Sequence, residues 1–271
     1  MSHHQLDTGT DELLGEVRHG VAVFTLNRPQ ARNALSDRLT PALRAGIATC
    51  DRDPEVGAFL ITGAGGAFCA GGDVKDMGAS APPRHASQRA RVEELMRRQR
   101  MLTGALVQSR KPSIAALPGP AAGAGLSLAL ACDLRYASPS ATFGAPFSQL
   151  GTHGGMAVSW LLPEAVGMPR AREMLYTGRV IAAEEALSWG LVSEVAEDVV
   201  GRALEVAESV ARAAPIPIRL TKAGLAQGSR GGFEVALQWE ALAQPVTLST
   251  KDIHKGVQAR REHRAPTFDG D

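Results

Sequence analysis

The chain alternates short apolar runs with longer amphipathic stretches, and this alternation predicts its secondary structure. Residues 21–26 form an apolar, β-branched run that stops at polar residues and Pro29, which predicts a strand entering a turn. Apolar residues then recur every fourth position between Ser36 and Asp53, which predicts an amphipathic helix with Ser36 as its N-cap. A strand followed by a helix is therefore the first structural unit.

The same alternation continues through most of the sequence and predicts an α/β fold with mainly parallel strands. The predicted strands cover residues 21–26, 57–62, 113–117, 134–137, 141–143 and 191–195. The predicted helices cover residues 36–53, 84–110, 155–166, 170–176 and 182–189, with another beginning near residue 125. Beyond residue 198 only helices are predicted, at 203–214, 218–228 and 232–248. We expect a core of residues 1–199 and a helical C-terminal segment of residues 200–271.

Composition narrows the class of protein. The 271 residues are 44% apolar and 21% charged with a net charge of +1, which is typical of a globular domain and argues against a nucleic-acid partner. No apolar run approaches the roughly 20 residues that span a bilayer, and the N-terminal residues lack the apolar stretch of a signal peptide. We therefore expect a cytoplasmic protein with no membrane partner.

The cysteine and histidine spacings favour neither a disulfide framework nor a metal site. Cys50, Cys69 and Cys132 are far apart and lie among apolar or small residues, which predicts buried free thiols. No histidine pair has HxxxH or HExxH spacing. No metal ligand is predicted.

Two glycine-rich segments follow predicted strands and are the first candidate site. We call residues 63–73, GAGGAFCAGGD, the first glycine turn, and residues 119–125, GPAAGAG, the second glycine turn. Turns and helix N-termini expose unpaired backbone N–H groups, and two such groups directed at one point form an oxyanion hole. Each turn can supply one donor, although glycine is also common in turns that bind nothing.

Two other motifs fit less well. Residues 125–129 resemble a hydrolase nucleophile elbow, but that motif requires an acid and then a distant histidine, and His153 is too close. The first glycine turn fits neither GxGxxG nor GxxxxGK[ST], which argues against a nucleotide-binding turn.

Several segments, in order and over nearly the whole chain, resemble the enoyl-CoA hydratase/isomerase (crotonase) family. They are LNRPQARNALS (26–36), AFCAGGDVKDM (67–77), KPSIAALPGPAAGAG (111–125), ACDLRYAS (131–138), TFGAPFSQLGTHGG (142–155), LYTGRVIAAEEALSWGLVSEV (175–195) and KGVQARREHRAPTF (255–268).

This resemblance implies a crotonase-like spiral of ββα units with a helical C-terminal trimerisation segment, assembled as a homotrimer or hexamer. It implies an acyl-CoA substrate, with coenzyme A present as part of the substrate and no tightly bound cofactor. It assigns the two oxyanion donors to the N–H groups of Gly72 and Ala124. Alanine replaces a second glycine that is common in the family, but it keeps the N–H.

The resemblance also implies a set of coenzyme A contacts. One group is Gln30, Ala31, Arg32, Ala70, Val74 and Lys75, and a second, reaching a neighbouring subunit's cofactor, is Arg260 and His263. Lys75 can meet a phosphate as a point charge, although exposed charges are usually only solvated.

The chain departs from the family at its acid/base positions. Hydratases of this family use two glutamates, and the corresponding residues here are Ser127 and Phe147, while Gly155 stands where other members have an aspartate. His153 is the nearest candidate proton carrier because histidine changes charge near neutral pH, and Ser127 can position water or substrate.

Non-catalytic roles for His153 and Ser127 remain open. His153 can be a loop imidazole bonded to backbone groups, and Ser127 a small packing residue whose hydroxyl the helix satisfies. Two functions also remain: an enzyme acting on an acyl-CoA thioester through a stabilised enolate, or a catalytically silent acyl-CoA-binding or regulatory homologue. Donors arranged for developing charge favour the enzyme.

Overall fold

The computed structural model describes residues 3–73 and 87–271, and within these ranges it contains ten strands. They are β1 (His3–Leu6), β2 (Leu13–Arg18), β3 (Val21–Leu26), β4 (Ala58–Gly63), β5 (Ser113–Leu117), β6 (Ala121–Ala122), β7 (Leu134–Ala137), β8 (Thr142–Gly144), β9 (Val180–Ala182) and β10 (Glu194–Val195). Every residue of β4 and β5 is buried, as expected of apolar strands covered on both faces.

Ten α-helices lie in the same ranges. They are α1 (Leu39–Arg52), α2 (Gln88–Gln99), α3 (Ala105–Gln108), α4 (Ala124–Ala131), α5 (Val158–Val166), α6 (Met168–Thr177), α7 (Ala183–Trp189), α8 (Val199–Ala211), α9 (Pro215–Leu248) and α10 (Lys251–Arg261). A π-helical turn, Arg100–Gly104, joins α2 to α3. None of these helices has the combination of length and apolar character needed to cross a membrane.

The strands form two sheets. The larger sheet has the order β1-β2-β3-β4-β5-β7-β10, in which β1, β2 and β3 pair antiparallel and the strands from β3 onward pair parallel. The smaller sheet has the order β6-β8-β9. The mainly parallel α/β arrangement agrees with the fold class expected from the sequence.

The larger sheet separates two apolar layers. On one face Leu39, Leu43 and Ile47 of α1 join a large cluster that contains Phe24 and Phe59. On the other face α8 packs through Val199, Ala203 and Ala207 against Val23, Leu60 and Ile114. Helix α8 therefore covers the sheet directly, and the division of the chain at residue 200 stays a prediction.

Helix α9 folds back on itself as a helical hairpin. Gly232 has a left-handed φ of 79° and interrupts the helix, and the Trp239 Nε1–H donates to the Leu220 carbonyl at 3.1 Å across the two arms. Gly224 lies directly against the Trp239 ring, where a Cβ would be 2.7 Å from Trp239 Cδ1. None of the hairpin residues is buried within this chain, and Leu225, Phe233 and Leu242 are among the most exposed apolar side chains.

Most of the predicted elements are present with small shifts at their ends. The strands at 21–26, 113–117 and 134–137 have the predicted bounds. The helix predicted over 84–110 is interrupted by the π-helical turn, and residues 84–86 lie outside the described ranges. The edge strands β1 and β2 and helix α10 were not predicted.

Candidate functional site

The candidate site lies at one edge of the larger sheet. Strands β3, β4 and β5 run parallel, so their carboxyl ends meet at the same edge. The first glycine turn begins at the end of β4, and the second glycine turn follows β5. Residues 27–36, which follow β3, complete the group of three neighbouring connections.

Backbone hydrogen bonds tie the first glycine turn to the connection after β3. The Ala70 N–H donates to the Arg32 carbonyl at 2.9 Å, and the Leu35 N–H donates to the Gly71 carbonyl at 2.7 Å. The Asp73 N–H returns a bond to the Leu35 carbonyl at 3.2 Å, which completes a parallel bridge between Leu35 and Gly72. In such a bridge the N–H of Gly72 points away from Leu35.

The opposite side of the first glycine turn binds the second one. The N–H groups of Phe68 and Cys69 both donate to the Pro120 carbonyl at 3.1 Å, and the Ala122 N–H donates to the Cys69 carbonyl at 3.0 Å. The Gly72 N–H is thus directed away from the connection after β3, and the second glycine turn packs against that other side of the first.

The Asn33 side chain holds the first glycine turn in place by hydrogen bonds. Its side chain is fully buried, and its Nδ2 donates to the carbonyls of Ala64 and Ala67, each at 2.8 Å. Its Oδ1 accepts from the Arg28 N–H at 2.8 Å. The two bonds to Ala64 and Ala67 connect groups that are distant in sequence, so Asn33 fixes the shape of the turn.

Several glycines allow the two turns to approach closely. Gly71 has a φ of 101°, and a Cβ placed there would lie 2.8 Å from the Ala122 carbonyl oxygen. A Cβ on Gly119 would lie 1.9 Å from the Gly66 oxygen, and one on Gly125 would lie 2.1 Å from the Cys69 oxygen. The contact between the turns therefore depends on these residues having no side chain.

The close approach also places Gly71, the neighbour of Gly72, beside Ala124. A Cβ placed on Gly71 would lie 3.4 Å from the Ala124 nitrogen. Ala124 is the first residue of α4, where an N–H has no partner within the helix. In the part of the chain that the structure describes, neither the Gly72 N–H nor the Ala124 N–H has a hydrogen-bond acceptor. The positive end of the α4 dipole lies at Ala124.

Ser127 and Phe147 lie next to this pair of N–H groups. The Ser127 side chain is fully buried, and its Oγ donates to the Gly155 carbonyl at 3.1 Å. The half-buried Phe147 ring lies between Gly123 and Gly154, at 3.7 Å and 3.4 Å from the Cβ positions of those glycines. The Phe147 ring and the hydrogen-bonded Ser127 hydroxyl thus lie beside the second glycine turn. Neither side chain has a carboxylate.

His153 lies further out, in the connection between β8 and α5. Its ring is exposed, and Nδ1 is within hydrogen-bond distance of the Gly154 carbonyl. It lines a cavity of about 460 Å³ together with Phe147, Arg172 and Tyr176. Phe147 connects this cavity to the second glycine turn.

The predicted coenzyme A contacts divide into three groups. Gln30, Ala31 and Arg32 lie in the connection after β3, which the Ala70 N–H joins to the first glycine turn. Val74 and Lys75 lie outside the described residues. Arg260 and His263 are exposed near the end of α10, and no hydrogen bond among the described residues joins them to the glycine turns.

A second cavity at the site was not predicted from the sequence. It has a volume of about 670 Å³, lies between α1 and α2, and includes Leu35, Arg44, Gln99 and Met156 in its lining. An arginine on an amphipathic helix normally marks a solvated face, so nothing in the local pattern distinguishes Arg44.

The three cysteines are buried and free, as predicted. Burial raises the pKa of Cys69 and of Cys132 to about 12, and that of Cys50 to about 11. Cys69 lies within the first glycine turn, but a thiol with this pKa is no nucleophile at neutral pH. Among the described residues, no group of three or more His, Cys, Asp or Glu side chains is placed to hold a metal ion.

Comparison with known proteins agrees with the geometry. The model of the enoyl-CoA hydratase/isomerase family matches residues 16–271. The chain is 38% identical over 249 residues to "Probable enoyl-CoA hydratase echA14" of Mycobacterium tuberculosis, covering 92% of this chain and 93% of that protein. It is also 38% identical over 258 residues to (E)-benzylidenesuccinyl-CoA hydratase of Thauera aromatica, covering 94% and 98%.

A solved structure extends the agreement to the fold. The crystal structure of enoyl-CoA hydratase from Bacillus anthracis superimposes with a TM-score of 0.87 at 32% identity, covering 96% of this chain and 100% of that one. The family match spans almost the whole sequence, and the relatives and the fold agree with it. The chain therefore belongs to the enoyl-CoA hydratase/isomerase family and has the crotonase fold.

Proposed function

We propose that this protein is an acyl-CoA enzyme that binds the thioester carbonyl between the N–H groups of Gly72 and Ala124. The observation that carries the proposal is the close approach of Gly71 to Ala124, with both N–H groups lacking an acceptor among the described residues. Two fixed donors stabilise negative charge on the thioester oxygen as an enolate forms. Because glycine packing holds them before substrate binds, little reorganisation accompanies the reaction.

The acid/base part of the reaction differs from the two-glutamate hydration of the family. Hydration adds the oxygen of water to C3 of a 2-enoyl-CoA and a proton to C2, and both steps need a proton carrier. Ser127 and Phe147 occupy the two glutamate positions, and neither carries a carboxylate. We propose that His153 carries the proton and that Ser127 positions the Gly155 region or a substrate water.

The placement of these two side chains supports a second candidate, a catalytically silent acyl-CoA-binding homologue. The Ser127 hydroxyl is already engaged by Gly155, and the His153 ring is exposed beside a backbone carbonyl. Both are satisfied without a substrate. Turnover separates the two candidates, because a silent homologue binds acyl-CoA and leaves it unchanged.

We propose that coenzyme A lies along Gln30, Ala31, Arg32 and Ala70, which the hydrogen bond from Ala70 to Arg32 holds together.

An assembly of three or six copies would give the α9 hairpin a partner surface. Its exposed apolar side chains include Phe233, which is 80% exposed, and Leu242, which is 74% exposed. In that assembly Arg260 and His263 reach a neighbouring subunit's coenzyme A.

A proline substitution tests the proposal, because it removes the Ala124 N–H donor and keeps helix α4. Ala124→Pro deletes an N–H at the first position of α4, where proline is well tolerated in helices. Loss of one oxyanion donor lowers rates by about 10² to 10³. We expect a drop of this size in the turnover of 2-enoyl-CoA thioesters, and in exchange of the C2 protons of saturated acyl-CoA thioesters with solvent deuterium.

The matched control is Gln88→Pro, at the exposed first position of α2, whose N-cap Ser87 already has extended backbone angles. We expect this variant to keep full activity. Circular dichroism establishes that both variants are folded. A folded Ala124→Pro protein with unchanged rates would refute the assignment of this donor.

A further inference from the structure

The cavity between α1 and α2 combines apolar walls with clustered charge. We call it the arginine cavity, and its lining includes Leu35, Arg44, Glu94, Arg97, Arg98 and Met156. The cluster holds three guanidinium groups. Two carboxylates, Glu94 and Asp37, line the same cavity. The balance of charge is therefore positive.

The arginine cavity adjoins the proposed thioester site. Leu35 lines it and forms the parallel bridge with Gly72. On the other side, the Gln99 amide nitrogen lies 3.6 Å from the Cβ position of Gly155, whose carbonyl accepts the hydrogen bond from Ser127. The arginine cavity therefore borders the first glycine turn through Leu35 and the contact of Ser127 with Gly155 through Gln99.

Two of the three arginines already have a partner. The Arg97 Nε and Nη2 donate to the two oxygens of Glu94 at 2.8 Å and 2.9 Å. The Arg98 Nε donates to Glu94 Oε1 at 2.6 Å. One carboxylate thus accepts hydrogen bonds from two guanidinium groups. Glu94 and Asp37 also attract the Arg44 guanidinium, but among the described residues they do so by charge alone.

Arg44 is the arginine of this cavity that makes no hydrogen bond or ion pair with another described residue. Its Nε is buried, and no hydrogen-bond acceptor for it lies in the described part of the chain. Burial and the nearby charges of Arg98 and Arg97 lower the pKa of the Arg44 guanidinium. A buried donor without an acceptor is unfavourable, and an anion beside Arg44 would relieve both the missing hydrogen bond and the repulsion.

The shape of the cavity indicates which anion. Its apolar wall, with Leu35, Leu102 and Met156, suits a hydrocarbon chain, while the planar edge of a guanidinium matches a carboxylate. Resting on the proposed function, we propose that the arginine cavity binds a carboxylate at the far end of the acyl chain. The substrate class is then the CoA thioesters of dicarboxylic acids, with Arg44 as the residue that determines specificity.

Binding of matched ligands tests this inference. Calorimetry would compare succinyl-, glutaryl- and adipoyl-CoA with butyryl-, pentanoyl- and hexanoyl-CoA, pairing chains of equal carbon number, and with coenzyme A itself. A hydrogen-bonded ion pair in a partly buried site corresponds to about 10-fold to 100-fold in affinity. We expect at least one dicarboxylic member to bind the unmodified protein this much more tightly than its neutral partner.

Arg44→Met should remove that preference and leave the affinity for the neutral thioesters unchanged. The control is Arg52→Met, which removes the same charge from an exposed position two turns further along α1. It should retain the preference. If Arg44→Met fails to fold, Arg44→Gln serves the same comparison.

Each other outcome overturns the inference in a recognisable way. No preference in the unmodified protein, or one that survives Arg44→Met, refutes the carboxylate site while the proposed function stands. An equal loss of affinity for coenzyme A and for every thioester in Arg44→Met would show that the cluster binds a coenzyme A phosphate instead. If no acyl-CoA binds at all, the proposed function fails together with the inference.

Discussion

The pair of glycine turns and the connection of residues 145–157 between β8 and α5 border the same site but are held in different ways. The turns are fixed by main-chain bonds to neighbouring segments, by Asn33, and by glycines that leave no room for a Cβ. Several bonds of the 145–157 connection are internal, such as Leu150 N–H to Pro146 O at 3.1 Å, and residues 148–153 are exposed.

This difference separates two requirements of the proposed enolate chemistry. Stabilising an oxyanion needs donors held in place before the reaction, and the turns provide a rigid setting for them. Proton transfer depends on which side chains are presented, and the 145–157 connection presents Phe147 and His153. In the proposed function, oxyanion stabilisation thus belongs to the glycine turns and proton transfer to the exposed connection.

The largest expected effect tests whether the exposed connection takes part in the reaction at all. His153→Ala should lower turnover of the best acyl-CoA substrate by about 10² to 10⁴, the usual contribution of a general acid or base. The affinity for that substrate should change little. Steady-state kinetics and calorimetry on the same preparation measure the two quantities.

His4→Ala, on the exposed edge strand β1, is the matched control and should have no effect. If His153→Ala loses turnover only in proportion to affinity, His153 is a contact residue. The proton carrier would then lie elsewhere.

The next effect compares one glycine from each region. Gly125→Ala puts a Cβ 2.1 Å from the Cys69 carbonyl oxygen, so the two turns must separate. We expect the free energy of unfolding to fall by about 3 kcal/mol or more, as overpacking against a backbone cannot relax easily. Gly151→Ala meets no atom within 4 Å, and only its φ of 68° opposes it, at about 1 to 2 kcal/mol.

Urea denaturation of both variants measures the difference between these two glycines. Equal losses of stability would show that the two regions are equally rigid. The glycine turns would then be held no more firmly than the 145–157 connection.

The smallest expected effect comes from side-chain bonds. Asn33→Ala leaves the carbonyls of Ala64 and Ala67 without a buried donor and should cost about 2 kcal/mol of unfolding free energy. Gln149→Ala removes an exposed bond to the Thr177 carbonyl and should cost about 0.5 kcal/mol or less. Thermal unfolding of the pair gives the comparison, and a Gln149 effect as large as that of Asn33 would contradict it.

Local sequence determined much of the fold. The strands β3, β5 and β7 and the buried face of α1 follow from short apolar runs and from a four-residue repeat, because each depends on residues close together in the chain. The glycine turns and the family resemblance also follow from contiguous motifs. The edge strands β1 and β2 were not predicted. Strand β1, His3–Leu6, is polar and mostly exposed, and β2 is only partly buried.

Tertiary structure decided the rest. The sequence contains Gly72 and Ala124 in separate segments, and only the docking of one glycine turn on the other brings Gly71 close to the Ala124 nitrogen. It also contains Asn33 and Arg44 without indicating their environments. The buried hydrogen bonds of Asn33, and a buried Arg44 Nε with no acceptor among the described residues, depend on neighbours far away in the chain. Periodicity reports which face of an element is buried, whereas a site depends on what that face meets, and packing alone settles that.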